Sequence, residues 1–147
     1  MTYIIEVFEE YPAKYQEDFL RIYEDQVNPR KPDHSLLELV IELMKESGAT
    51  LYAIQSNDQW VGAGLVLAED GERVMRHCCI APPLRNHGVG AELVSAIANK
   101  ESEKGLATLY TEIDSEDRQA ARFLKQNQFT EVTTNDDTMR LMRPLTD

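Results

Sequence analysis

The alternation of apolar and polar positions divides this chain into short strands and amphipathic helices. Residues 3–8 alternate well enough for a first strand. Pro12 opens a helix at its first turn, running to about residue 27, with Phe19, Leu20, Ile22 and Tyr23 on its apolar side. Residues 28–32 (Asn-Pro-Arg-Lys-Pro) are a turn by composition, and Asp33 or Ser35 then caps a second helix. Leu36, Leu37, Val40, Ile41 and Met44 recur there at helical spacing, and Gly48 ends it. Residues 51–55 and 60–68 are β-rich runs joined by the hairpin Ser56-Asn57-Asp58-Gln59. Asp70-Gly71 is a stronger hairpin signal and leads into a strand over 73–80, giving three successive antiparallel strands. An amphipathic helix over 91–104, closed by Gly105, a strand over 108–113 and a helix over 116–126 follow. Residues 129–133 and 139–145 close the chain as a strand pair around Asn135-Asp136-Asp137. No repeat or linker interrupts this order, so residues 1–147 are expected to be a single domain.

The densest chemistry lies between the strand at 73–80 and the helix at 91–104. Ala81-Pro82-Pro83 ends the strand, because proline cannot donate to a ladder and restricts the residue before it. Arg85-Asn86-His87-Gly88-Val89-Gly90-Ala91 then turns the chain into the helix. A helix's first turn exposes unpaired N–H groups with partial positive charge. Glycines at 88 and 90 clear side chains from the approach of a bulky anion, and Arg85 adds a permanent forked cation. Together they form a cradle for phosphate or pyrophosphate. The Gly-Lys-Ser/Thr ending of a P-loop occurs nowhere in the chain, and Leu93 stands where a dinucleotide fingerprint needs its third glycine.

The remaining pattern, R-x-x-G-x-G preceded by a hydrophobic residue, any residue and proline, resembles the acyl-CoA pyrophosphate loop of the GCN5-related N-acetyltransferase (GNAT) family. The element order β-α-α-β-β-β-α-β-α-β-β resembles that family's topology over nearly the whole chain, most strongly over residues 74–129. The resemblance implies an α/β fold with a mixed, mostly antiparallel sheet of six to seven strands and about four helices. It also implies a direct, acetyl-CoA-dependent transfer to a primary amine of a small molecule or peptide. The strands at 73–80 and 108–113 would then run parallel and splay apart. The acyl-pantetheine arm would pair with backbone at Cys78, Cys79 and Ile80, and the N–H near Ile80 would polarise the thioester oxygen. The loop residues Arg85, Asn86, His87, Gly88, Val89, Gly90 and Ala91 would hold the pyrophosphate. His87 contributes its position there rather than its ring.

The family's second signature is an Asn, Ala three residues later, Phe-Tyr and Gly-Phe. Here it reads Asp117, Ala120, Phe123-Leu124 and Gln128-Phe129. Leu124 stands where the usual tyrosine protonates the departing thiolate, and leucine has no proton to give. That substitution keeps an alternative open, a non-catalytic acyl-CoA-binding sensor or interaction module. The positions where family members carry a Glu or His base match Val74 and Arg76 here. His77 lies one residue out of phase, so alternation points it to the opposite face as a packed, hydrogen-bonded core histidine. Glu112, on the neighbouring strand, is the first candidate base, followed by Glu24 and Asp25 at the end of the first helix.

Charge refines the partner. The net charge is −11, and −9 of it falls on residues 1–70. With no basic patch, nucleic acid is not an expected partner. No apolar run approaches membrane-spanning length, and the acidic N-terminus is not a secretory signal, so a cytoplasmic protein without membrane contact is expected. Cys78 and Cys79 are adjacent and lack metal spacing, so they are expected to be buried thiols with no metal bound. The family's acceptor wall comes from the first two helices, where Glu9, Glu10, Glu24 and Asp25 would attract a cationic amine. Family members often dimerise through their C-terminal strands, and the alternation of Met139, Leu141 and Met142 allows a homodimer here.

Overall fold

The computed structural model of the chain describes residues 3–145. Its strands are β1 (Ile4–Phe8), β2 (Val27–Asn28), β3 (Lys31–Ser35), β4 (Thr50–Ser56), β5 (Gln59–Glu69), β6 (Glu72–Ile80), β7 (Thr108–Asp114), β8 (Thr130–Thr134) and β9 (Thr138–Pro144). Its helices are α1 (Gln16–Ile22), α2 (Leu36–Ser47), α3 (Val89–Glu103) and α4 (Arg118–Gln126), with 3₁₀ turns at Ala13–Tyr15 and Pro82–Leu84. Seven strands form one sheet in the order β1-β4-β5-β6-β7-β9-β8, and every pairing is antiparallel except β6 with β7. The expected α/β class, with a mixed and mostly antiparallel sheet and four helices, is what the chain adopts.

Local sequence explains most boundaries. Both hairpin turns of the β4–β5–β6 meander place consecutive residues in the left-handed region: Asn57 and Asp58 in one, Asp70 and Gly71 in the other. That is the backbone whose twist suits a two-residue hairpin. Ser35 caps α2 by accepting a hydrogen bond from the Leu37 N–H at 3.1 Å, and Gly48 ends it with φ +62°. Of the two proposed caps, Ser35 is therefore the one used.

Two stretches differ from expectation. The first helix is shorter than its apolar spacing suggests: Pro12 leads into a 3₁₀ turn, and α1 ends at Ile22. Residues 27–35 then form a small separate hairpin, β2 with β3, in which only residues 29–30 of the turn expected at 28–32 lie between the strands. Asn28 stabilises that turn by accepting the Arg30 N–H at 2.9 Å. Two prolines and a two-residue strand leave no periodic signal to read there.

The core lies in two layers, one on each face of the sheet. Phe19, Ile22 and Tyr23, with Leu37 and Val40 of α2, pack on Leu51, Ala53, Leu65 and Leu67. On the opposite face Val89, Leu93, Val94 and Ile97 of α3, with Leu124 of α4, cover Tyr52, Ile54, Val66, Met75, Leu109 and Leu141. Each fully buried aliphatic side chain contributes roughly 1.5–3 kcal/mol. Tyr52, Arg73 and Lys104 converge on Glu101, which is fully buried on α3; Arg73 Nε lies 2.9 Å and Lys104 Nζ 3.0 Å from its carboxylate. This ionic knot ties α3 to the sheet behind the loop that precedes it.

Candidate active site

β6 and β7 pair only at Val74 with Tyr110 and Met75 with Thr111. Thr111 Oγ1 donates to the Met75 carbonyl at 2.8 Å, a last fastening at that point. Beyond it the two strands have no ladder between them, so the edge of β6 from residue 76 to 80 faces a gap. A β-bulge coincides with the split. Ala63 pairs with Cys79 and Leu65 with Arg76, leaving Gly64 opposite both His77 and Cys78. Gly64 is required there, because a Cβ would lie 2.4 Å from Cys78 Sγ. His77 takes the left-handed backbone, φ +56°, uncommon for a residue with a side chain.

The bulge resets the alternation of β6 and corrects the expected orientation of His77. Cys78 and Ile80 pack with the α3 layer and Cys79 with the α1–α2 layer. His77 lines the gap beside Arg76 instead of lying in the opposite core. It is half-buried, and its ring makes no hydrogen bond among the described residues, whereas its carbonyl accepts the Tyr23 hydroxyl at 2.9 Å. Burial, with the Arg76 charge adding to it, lowers the imidazole from 6.5 to about 4. The unfolded chain takes up this proton near 6.5 and the native chain only near 4, so native stability falls as pH falls through that window. Urea unfolding at pH 7 and pH 4.5 is expected to show a loss of about 2 kcal/mol that the His77→Asn variant lacks.

Two adjoining cavities occupy the gap. One, of about 440 Å³, runs from Cys78, Cys79 and Ile80 along Arg85, Asn86, Gly88, Gly90 and Ala91 to Phe123. The other, of about 460 Å³, lies between β6 and β7 and is lined by Gln26, Leu36, Arg76, His77, Glu112, Asp117, Ala120 and Leu124, among others. They share Cys78, Cys79, Val94 and Phe123, so a path leads from the loop to the α1–α2 face. The cavity walls thus bring together Cys78, Cys79, Ile80, Arg85, Asn86, Gly88, Gly90 and Ala91 with Asp117, Ala120, Phe123 and Leu124, whereas the expected site residues His87 and Val89 line neither cavity. Val89 buries its side chain in the core and lends only backbone. His87 is exposed and donates Nδ1–H to the Arg85 carbonyl at 2.8 Å.

The loop's backbone is built for an uncapped helix start. Gly88, at φ +83°, is the N-cap of α3 and supplies no side chain to the first-turn N–H groups. The space around a Cβ at Gly88 is open, whereas a Cβ at Gly90 would stand 3.2 Å from the Phe123 ring. Gly88 therefore answers a backbone demand, and Gly90 lets α4 approach α3.

Arg85 is not the free cation that the loop pattern suggests. Its two terminal nitrogens bind Asp25 at 2.5 and 2.7 Å, and Nε donates to the Ile80 carbonyl at 2.8 Å. Hydrogen bonds from Arg85 and Gln26 hold the Asp25 carboxyl well below the usual carboxylate range. Asp25 is thus committed to this pair and is a poor candidate base. Among the described residues, Arg122 lines the same cleft beside Asn86 with no carboxylate partner.

The candidate bases fare differently from expectation. Glu112 does reach the gap, but one oxygen accepts from Arg76 at 2.8 Å and the other from Arg140 at 3.2 Å. Both carboxylate oxygens are thus already occupied by guanidinium donors, which leaves neither free to meet an incoming amine. Glu24 is not on the gap; it lines a separate cavity with Arg21, Trp60 and Pro83. Asp117 Oδ1 caps α4 by accepting the Ala120 N–H at 3.0 Å. Leu124 is buried in the α3–α4 layer. Burial lifts the thiols of Cys78 and Cys79, the latter to about 12, so both stay protonated and unreactive at neutral pH. The bulge at His77 was missed by sequence reasoning; a strand Gly opposite an out-of-phase His was the available hint.

The profile of the acetyltransferase (GNAT) family matches residues 5–129. The chain belongs to that family. Solved structures agree in fold. The ribosomal-protein-S18-alanine N-acetyltransferase of Escherichia coli aligns at 14% identity over 98% of this chain and 96% of that one, with a TM-score of 0.74. An acetyltransferase of Bacillus subtilis in complex with CoA aligns at 15% identity over 99% and 100%, TM-score 0.73. The IAA acetyltransferase of Bacillus cereus aligns at 13% identity over 97% and 99%, TM-score 0.69. No curated protein matches this sequence significantly. This GNAT chain is thus an acetyltransferase by family. No helix among its described residues is long and apolar enough to cross a membrane, and those residues hold no cluster of metal-ligating side chains.

Proposed function

We propose that this GNAT protein transfers the acetyl group of acetyl-CoA directly to a primary amine. The observation that carries the reading is the split of β6 from β7 directly before an uncapped α3 start. The first-turn N–H groups around Val89, Gly90 and Ala91 would hold the pyrophosphate, with Arg122 rather than Arg85 as the free cation beside it. The pantetheine arm would pair with the exposed edge of β6 at Cys78 to Ile80, its thioester lying at the bulge. The amine would enter from the α1–α2 side through the cavity that Gln26, Leu36 and Arg76 line. Asp114 and Asp117 line that cavity too, and their charge favours a cationic acceptor. Holding amine and thioester in line supplies much of the acceleration. With Leu124 in place of a proton donor, water protonates the departing thiolate, which is stable enough to leave unaided.

The test is thiol release from acetyl-CoA against a panel of polyamines, amino sugars and peptide N-termini. Release that depends on the amine supports the transferase reading, and tight CoA binding with silence across the panel supports the sensor reading. Arg122→Ala is expected to weaken CoA binding about 5–10-fold, an effect that shrinks at high salt because the contact is electrostatic. Calorimetry at two ionic strengths checks it.

A further inference from the structure

We propose that His77 is the proton acceptor for the attacking amine; this assignment rests on the transferase reading above. Four observations converge on it. The residue occupies the extra position of the β6 bulge, two residues past Met75, the last point at which β6 pairs with β7. It lines the cavity between β6 and β7 together with Gln26, Leu36 and Arg76, on the side assigned above to the acceptor. Its ring has no hydrogen-bond partner among the described residues, although its backbone is held by the fully buried Tyr23. A non-glycine residue kept at φ +56° marks a place where the surroundings over-determine the backbone, and such places cluster at functional sites.

Other groups on this cavity are occupied. Glu112 is clamped by Arg76 and Arg140, Asp117 caps α4, and Asp114 accepts the Glu116 N–H at 2.9 Å. The two cysteines are protonated. The charged groups acting on His77 are Arg76 on its own strand, Glu69 on β5 and Arg30 in the β2–β3 turn; Glu112 of β7 and Asp114 and Asp117 after it share the cavity wall. Burial, with the charges of Arg76 and Arg30 adding to it, keeps the imidazole neutral across the neutral pH range, so a ring nitrogen is available as an acceptor. In the reaction the amine nitrogen bonds to the thioester carbonyl carbon and the carbon–sulfur bond breaks. The sulfur leaves with the bond's electron pair and takes a proton from water. The proton lost by the amine nitrogen, which turns acidic as its bond to carbon forms, passes to the imidazole and then to solvent.

The left-handed backbone supplies an unusually clean test. Glycine adopts φ +56° without cost, so His77→Gly removes the ring, keeps the bulge and leaves a hole of imidazole size. Asparagine also tolerates this conformation but has no nitrogen that accepts a proton. Both variants are expected to melt within a few degrees of the native chain and to bind CoA as tightly. With the amine found active in the panel above, kcat is expected to fall about 100-fold in each, the usual scale for a lost general base. Added imidazole is expected to restore His77→Gly at least tenfold while leaving His77→Asn slow. The assignment is overturned if either variant keeps kcat within about threefold of native, or if imidazole fails to rescue His77→Gly. Silence of the native chain across the amine panel would instead overturn the transferase reading, and this assignment with it.

Discussion

Gly88→Val is expected to abolish CoA binding, weakening it more than 100-fold, while lowering stability by only about 1–2 kcal/mol. Gly88 sits at φ +83°, where a β-branched residue is a conformational outlier, so the variant either strains the loop or pulls the helix start out of shape. No atom would crowd the new Cβ, so the fold itself has room for it. The side chain instead stands at the wall of the 440 Å³ cavity, beside the N–H groups assigned to the pyrophosphate. Gly90→Val should show the opposite balance, because its Cβ meets Phe123 at 3.2 Å and forces α3 from α4. A calorimetric titration beside a melting curve for each variant separates the two. Near-native CoA affinity in Gly88→Val would remove the loop from the binding site.

Arg73→Ala is expected to be the costliest surface-adjacent change, about 2–3 kcal/mol, or roughly 6–10 °C in Tm. Glu101 is fully buried, and its two oxygens are shared among Arg73, Tyr52 and Lys104. Burial alone would raise its pKa, yet the hydrogen bonds from these three partners win and hold it below the usual carboxylate value. Deleting Arg73 leaves the charge in place with fewer donors, and the burial penalty is then no longer offset. A carboxylate bound more tightly when charged stabilises the native state above its unfolded value near 4.5 and loses that contribution as pH falls below it. The double variant Arg73→Met with Glu101→Leu should recover much of the loss, since an apolar pair of similar volume carries no desolvation cost. Equal destabilisation of single and double variants would show that the knot acts only through packing.

Much of the fold was legible because most elements announce themselves locally. Asp70-Gly71 and Asn57-Asp58 fix their hairpins through positive φ, Ser35 and Gly48 bracket α2, and Leu93, Val94 and Ile97 recur at helical spacing in α3. The parallel step from β6 to β7 follows from a crossover helix between them, a matter of topology rather than of residue type. The loop was legible for the same reason, since Pro82 and Gly88 answer constraints of the backbone; Gly90, equally visible, answers the packing of α4 on α3. What stayed hidden is non-local. Nothing within five residues of Arg85 says that Asp25 will occupy it, and nothing beside Glu112 announces Arg76 and Arg140. The same holds for the His77 bulge, which depends on Gly64 of the neighbouring strand admitting Cys78 Sγ. Strict alternation therefore misplaced His77. The β2–β3 hairpin escaped because two-residue strands carry no period.

These losses share a cause. Turn and cap chemistry is encoded within a few residues, whereas side-chain pairing is settled between residues that lie 36 or 60 positions apart in the chain. The site is read from sequence as far as backbone geometry builds it, and from structure where charge partners decide which groups are free.

The most direct measurement is a calorimetric titration of acetyl-CoA into the native chain, with Gly88→Val titrated alongside. The expected result is saturable heat at one coenzyme per chain, absent from the variant, with a matching rise in Tm only for the native protein. No heat and no Tm shift in the native chain, or equal binding by both proteins, would contradict the assignment of the split strands and the α3 start as an acyl-CoA site.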